Sequence, residues 1–293
     1  MKTNSNISSS SIFTLSILAC VWGSSFILIK QGLISFDPYQ VGTLRIVFAS
    51  LVLMPIAIKN IKIPNKKDWF YLFIVGAIGN LIPAFLFSVA ETKLSSSLTG
   101  ILNSLTPIFT LLISFFIFKN NIRKPQIIGV IIGLLGSIGI SFINAAGNLG
   151  TINFYTSFVI LATIFYGISV NTIKSRLAHI NSLKLTSLAL FTVGPISIVY
   201  LFTTNFIDLI NSDPAAQLSL FYIFLLGFVG TALALILFNK LIHNTNAVFA
   251  SSVTYLIPIV AIVWGLIDGE IISIYHVVGM AIIILGVYNI NKN

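Results

Sequence analysis

Charge is what this chain has least of. Asp, Glu, Lys and Arg make up 8% of its 293 residues, against 57% hydrophobic ones, and its mean hydropathy is +1.03. A soluble domain carries about 25% charged residues, so the chain has roughly a third of the charge needed to cover a water-facing surface. It is therefore expected to be an integral membrane protein. Cysteine is nearly absent: the single Cys20 excludes a disulfide framework and a cysteine-based metal cluster. Catalytic signatures are missing too. No nucleophile elbow, phosphate loop or zinc-protease motif occurs. His179, His243 and His276 lack the spacing of metal ligands, so neither a metal nor a cofactor is expected. The formal charge of +9 does not indicate nucleic acid, because the basic residues sit in short segments between apolar runs.

What is present is repetition. Residues 76–107 read GAIGNLIPAFLFSVAETKLSSSLTGILNSLTP, and residues 227–258 read GFVGTALALILFNKLIHNTNAVFASSVTYLIP. Set 151 positions apart without a gap, the copies agree at Gly76/Gly227, Gly79/Gly230, Leu86/Leu237, Phe87/Phe238, Leu105/Leu256, Pro107/Pro258 and Ile108/Ile259. The period is a half-protein rather than a solenoid repeat.

Apolar runs of spanning length, about 17–25 residues, fall at 11–29, 39–58, 68–90, 94–118 and 125–143, then at 154–173, 183–202, 218–242, 248–266 and 274–289. The first run could imitate a targeting segment, with Lys2 ahead of it and Ile17-Leu18-Ala19-Cys20 as a loose cleavage box. It continues through residue 29 and nine more spans follow, so it reads as a first helix that is not cleaved. The prediction is an all-α membrane protein of ten transmembrane helices. Residues 1–10 form a tail, 11–146 a first five-helix repeat and 147–293 a second. No connector has room for a soluble domain.

Loop charges predict orientation. With the N-terminus in the cytoplasm, Lys2, Lys59, Lys62, Lys66, Lys67, Lys119, Arg123, Lys124, Lys174, Arg176, Lys184, Lys240 and Lys292 face inward, thirteen of the sixteen basic residues. Lys30 and Lys93 face outward and Arg45 lies within a span. Asp37, Glu91, Asp208, Asp213, Asp268 and Glu270 face outward; only Asp68 faces in. This bias places both termini in the cytoplasm. Five helices per repeat is an odd number, so the second repeat enters from the opposite side. Inverted repeats of this kind are typical of secondary transporters, whose sites lie near the bilayer midplane.

Three segments carry a family likeness: TLSILACVWGSSFILIK near the start, AETKLSSSLTGILNSLTPIFTLLISFFIF in the middle, and TYLIPIVAIVWGLIDGEIISIYHVVGMAIIILGV toward the end. Together they resemble EamA-type proteins of the drug/metabolite transporter superfamily, over about residues 11–289. The resemblance implies two five-helix bundles in the bacterial inner (plasma) membrane and the export or exchange of small metabolites such as amino acids. The chain departs from the family pattern at Lys119-Asn120-Asn121, where Gly-Glu is usual; the second repeat keeps it as Gly269-Glu270. The related multidrug exporters use a first-helix carboxylate for proton coupling, and the stretch around Trp22 has none.

Polar and aromatic residues within about a turn of the span midpoints are Trp22, Ser24, Ser25, Asn80, Asn103, Ser104, Tyr166, Thr231, Thr254 and Tyr255; of these, Trp22, Ser25, Asn80, Asn103, Tyr166, Thr231 and Tyr255 are the candidates for a substrate path. Trp22 and Tyr166 occupy comparable places, each directly before a glycine. Interhelical hydrogen bonding and packing are the competing reading. Arg45 is an intramembrane charge and so a functional candidate: it could bind a substrate carboxylate, pair with Glu91, or snorkel. Pro107 and Pro258 are candidate paired flex points, or static kinks. Gly129, Gly133 and Gly136 form a small-residue face suited to close packing within the protein or, less simply, in a homodimer; a monomer is expected. The function predicted is secondary transport of a small organic metabolite, an amino acid or similar compound, by alternating access and in the outward direction. Its partners are the solute and the lipid bilayer. A multidrug or nucleotide-sugar-type carrier and, from another class, a multi-spanning membrane enzyme are the alternatives.

Overall fold

The computed structural model describes residues 9–121, 123–141, 153–245 and 247–291. Among them are ten helices of at least 18 residues: α1 (Ser10–Gly32), α2 (Pro38–Asn60), α3 (Lys66–Glu91), α4 (Ser96–Phe116), α5 (Lys124–Ser141), α6 (Thr156–Arg176), α7 (Ser182–Phe202), α8 (Pro214–Asn244), α9 (Ala247–Ile267) and α10 (Ile274–Asn291). A short helix, Phe206–Ser212, joins α7 to α8. α1–α4 and α6–α9 are long and apolar enough to cross a membrane. No strand occurs among the described residues.

Local sequence sets the helix starts. Asp37 accepts hydrogen bonds from the backbone N–H groups of Tyr39 and Gln40, while the Gln40 side chain answers the Asp37 N–H and Pro38 occupies the first helical position. Asn65 and Asp68 form the same reciprocal cap on α3. In each case first-turn donors that lack intrahelical partners are satisfied by side chains. Asp213 caps α8 by accepting from Ala215 N. α8 therefore begins at Pro214, four residues before the 218 expected from hydropathy.

Packing couples the two copies. α3 lies against α6 and α7, and α8 lies correspondingly against α1 and α2; α2 packs on α7, α4 on α9 and α5 on α10. The G-x-x-G pairs lie on these contacts. A Cβ at Gly76 would meet the Ala189 carbonyl of α7, and one at Gly79 the Ser169 side chain of α6. At Gly227 it would meet the Arg45 carbonyl of α2, and at Gly230 the Ser25 side chain of α1. Small residues are what let helix backbones approach this closely. The glycine face of α5 packs inside the protein: Gly286 of α10 sits against Gly129 and Gly133, Gly136 against Ile282 and Ile283, and Gly133 also against Ile108 of α4. Among the described residues the outer surface exposes large apolar side chains such as Phe13, Phe116, Leu135, Phe202 and Ile267, as a lipid-facing surface requires.

Two irregularities recur at matching places. α3 widens to a π-helix over Ala77–Leu81 and α8 over Phe228–Leu233, 151 residues apart. α4 is interrupted at Ser104 and Leu105, just before Pro107, where the backbone bonds three residues back instead of four. α9 tightens to a 3₁₀ turn over Ser252–Tyr255, just before Pro258. Periodicity in the sequence marks neither feature.

Candidate functional site

The π segments shape the centre of the bundle. Widening a helix frees carbonyls from their usual partners, and side chains take them up. Asn80 Nδ2 donates to Val75 O at 2.8 Å, and Thr231 Oγ1 donates to Leu226 O at 3.0 Å. These are equivalent positions bonding five residues back in both copies. π-bulges of this kind occur often at functional sites.

Beside them lies a cavity offering about 90 Å³ to the centres of water-sized molecules, room for several waters or one small organic solute. Its walls repeat in the same way. Trp22 of α1 meets Phe238 of α8 edge to face at 4.9 Å, and Tyr166 of α6 stacks on Phe87 of α3 at 5.9 Å. Phe87 and Phe238 are the 151-residue mates of the sequence repeat. Trp22 and Tyr166 are 144 residues apart, a spacing that also pairs Ser25 with Ser169 and Ile29 with Ile173, all of them cavity-lining. Asn103 and Thr254 complete the set at a spacing of 151. Several of the polar side chains are held by hydrogen bonds. Trp22 Nε1 donates to the Gly230 carbonyl at 2.9 Å, Thr106 Oγ1 to the Asn103 carbonyl at 2.7 Å, and Asn239 Nδ2 to Thr186 Oγ1 at 2.8 Å.

Six of the seven residues picked out at mid-depth line this cavity: Trp22, Ser25, Asn80, Asn103, Tyr166 and Thr231. Tyr255 does not; it packs against the apolar core, and its neighbour Thr254 reaches the cavity instead. Arg45 lines it and donates from Nε to Thr231 Oγ1 at 2.7 Å. Glu91 is not a lining residue and forms no ion pair with Arg45; its Oε2 accepts from Ser96 Oγ at 3.3 Å. Sequence reasoning passes over Phe87, Phe238, Ser169, Thr186 and Asn239. The exact recurrence of Phe87 and Phe238 in the repeat is the available signal for the first two. None of the lining residues is a carboxylate, histidine, cysteine or lysine, and no group of three metal-ligating side chains occurs among the described residues.

Beyond the cavity, the end of the bundle that holds Lys30 carries a charged cluster. Lys30 Nζ pairs with Asp268 and lies 3.6 Å from Glu270. Glu270 in turn accepts from Ser96 N at 2.8 Å, Ser97 N at 3.0 Å and Ser97 Oγ at 2.6 Å. α1, α4 and α9 are thereby tied together. The carboxylate sits on unsatisfied amides at the start of α4, where the helix dipole favours negative charge.

The sequence matches the EamA-like transporter family over residues 9–142 and again over 153–292. The chain belongs to this family. An uncharacterized transporter of Archaeoglobus fulgidus is 27% identical, with 94% of this chain and 96% of that one covered. The inner membrane transporter YedA of Escherichia coli is 22% identical over 92% and 87% of the two chains. A probable terminal-alkyne amino-acid exporter of Streptantibioticus cattleyicolor is 22% identical over 97% and 94%. A solved crystal structure with 15% identity superposes with a TM-score of 0.66 over 97% of this chain and 96% of its own, which shows a shared fold. The EamA-like assignment agrees with the reading of the chain as a membrane transporter.

Proposed function

We propose that this EamA-family protein moves a small organic metabolite, an amino acid or a compound like it, across the bacterial inner membrane by alternating access. In this reading all ten helices cross the bilayer, α5 and α10 included. Residues 11–146 and 147–293 form two repeats of opposite orientation, and both termini lie in the cytoplasm. The observation that carries it is the composition of the cavity wall. Equivalent positions of both copies line the cavity together (Trp22 and Tyr166, Phe87 and Phe238, Asn80 and Thr231, Asn103 and Thr254). A site built from two similar halves can exchange their conformations and so open to each side in turn. Trp22 and Tyr166 flank the solute, while Asn80, Asn103, Ser25 and Thr231 orient it. The breaks before Pro107 and Pro258 serve as paired flex points. The amino-acid exporter among the relatives supports this choice of solute, and outward movement is the direction we favour.

A nucleotide-sugar carrier is disfavoured, because holding a diphosphate calls for several cations and Arg45 is the single charged residue among those lining the cavity. Counterflow in liposomes tests the proposal. Vesicles loaded with unlabelled amino acids should take up labelled ones faster than empty vesicles, and Trp22→Ala or Asn80→Ala should blunt that uptake. Correctly folded protein that exchanges no amino acid would remove this solute class. Maleimide labelling of single cysteines at Lys93 and Lys119, with Cys20 replaced by serine, tests orientation: position 93 should react from outside cells and position 119 only after permeabilisation.

A further inference from the structure

We propose that the cavity takes a solute with one carboxylate on an apolar body, and that Arg45 is the residue that holds the carboxylate. This rests on the cavity being the transported solute's site.

Arg45 enters the cavity from α2 with its guanidinium pinned at one corner. Thr231 Oγ1 spends its proton on the Leu226 carbonyl and accepts from Arg45 Nε, so the direction of both bonds is fixed. The two terminal nitrogens of Arg45 have no hydrogen-bond partner among the described residues. No carboxylate oxygen of those residues lies within ion-pair distance of the guanidinium. Glu91 acts on the guanidinium only from beyond ion-pair distance, and a cation in such surroundings is costly without a counter-charge in contact. The free edge of a guanidinium matches the two oxygens of a carboxylate in a bidentate pair. The occupant is therefore the natural source of the missing negative charge.

Two further features narrow the class. The Trp22–Phe238 and Tyr166–Phe87 pairs offer aromatic surface to an apolar body, and a lone cation suits a monoanion better than a phosphate or dicarboxylate. An α-amino acid and a plain carboxylic acid both meet these terms.

The test is equilibrium binding to the purified full-length protein in detergent, using labelled 4-methylpentanoate, L-leucine and leucinamide, three compounds of one skeleton. The two acids should bind and leucinamide should bind at least tenfold more weakly. Arg45→Gln should weaken the acids by about tenfold to hundredfold, and Arg45→Lys should recover part of that loss. If leucine binds and 4-methylpentanoate does not, the solute is an amino acid; the reverse outcome makes it a plain acid. Leucinamide binding as tightly as the acids overturns the proposal, and this arm needs only the wild-type protein should Arg45→Gln fail to fold. Acid binding unchanged in folded Arg45→Gln overturns it too, as does failure of every acid from acetate to 4-phenylbutanoate to bind. Counterflow run in parallel separates this proposal from the transport reading. Acid binding without exchange leaves Arg45's role standing and removes transport of that solute. Exchange of neutral or cationic solutes without acid binding does the opposite.

Discussion

The two ends of the helix bundle carry related lysines in different company. Lys30 near the end of α1 and Lys174 near the end of α6 are 144 residues apart, the same spacing as Trp22 and Tyr166. Lys30 meets Asp268 and Glu270, and through Glu270 it joins α1 and α9 to the start of α4. Lys174 meets only carbonyls: its Nζ donates to Ile242 O at 2.9 Å, His243 O at 3.2 Å and Thr245 O at 2.6 Å. A cation on the unsatisfied carbonyls that finish α8 is well placed, but it ties two helices rather than three. The position 151 residues before Glu270 is Lys119, held at a φ of +58°, so the second end has no carboxylate to place on the start of α9. One backbone arrangement, used twice, thus closes with ion pairs at one end and with a cation on a helix terminus at the other. In an alternating-access cycle the two closures would differ in strength and in sensitivity to salt.

The strongest way to break the comparison is Glu270→Ala. The Glu270 side chain is only 6% exposed, and removing it strips two backbone amides and a hydroxyl of their acceptor. The loss should be about 3 kcal/mol. A thermal melt in detergent should fall by roughly 5–10 °C, with Glu270→Gln falling less. A reporter sharpens the result. With Cys20 replaced by serine, Ile29→Cys sits in the cavity wall beside Lys30 and Ile173→Cys beside Lys174. Glu270→Ala should speed maleimide labelling at position 29 more than at 173. Equal changes at both would show that the cluster stabilises the fold without closing that end.

Lys174→Met should come second, at about 1.5 kcal/mol, because three carbonyls lose a charged donor but each can turn to water at the rim. Here labelling at position 173 should rise more than at 29. Salt distinguishes the ends further. Raising ionic strength to about 1 M should weaken the closure around the partly exposed Lys30–Asp268 pair, and should leave the Lys174 contacts, which are made to neutral carbonyls, nearly unchanged.

Trp22→Phe against Tyr166→Phe carries the comparison into the cavity and should be smaller still. Trp22 donates to the Gly230 carbonyl within the π segment of α8. Losing that bond should cost about 1 kcal/mol in a melt and slow exchange. For Tyr166 the notable contact is the ring on Phe87, which phenylalanine preserves, so Tyr166→Phe should melt within about 0.5 kcal/mol of the parent.

Depth along a span is legible in the sequence; the facing of each side chain is not. Apolar run lengths place the helices to within a few residues, and the 151-residue repeat locates both G-x-x-G contacts. Choosing polar residues near span midpoints finds Trp22, Ser25, Asn80, Asn103, Tyr166 and Thr231. The same rule also takes in Ser24, Ser104 and Tyr255, which do not line the cavity, and misses Asn239 and Thr186, which lie nearer one end of the bundle. Helical periodicity does not correct this, since residues on the cavity side and the lipid side of these helices are almost equally apolar. The π segments are hidden for a related reason: a one-residue widening leaves composition untouched and shows only in where Asn80 and Thr231 place their bonds.

The smallest effect should come from trying to make the two ends alike. Lys119→Glu supplies the acid that the first repeat lacks, at the position equivalent to Glu270. A carboxylate alone cannot rebuild the clamp. At the other end the acid follows Gly269, whose φ of +80° turns the chain so that the side chain reaches the start of the neighbouring helix. In the first repeat the preceding residue is Phe118, and the positive φ falls one residue later, on Lys119 itself. Lys174, the natural partner, is already satisfied by three carbonyls. Lys119→Glu should therefore shift the melt by less than about 0.5 kcal/mol and leave labelling at position 173 unchanged. Phe118→Gly combined with Lys119→Glu restores the turn as well as the charge. If the asymmetry of the two ends is set by that turn, only the double variant should slow labelling at 173.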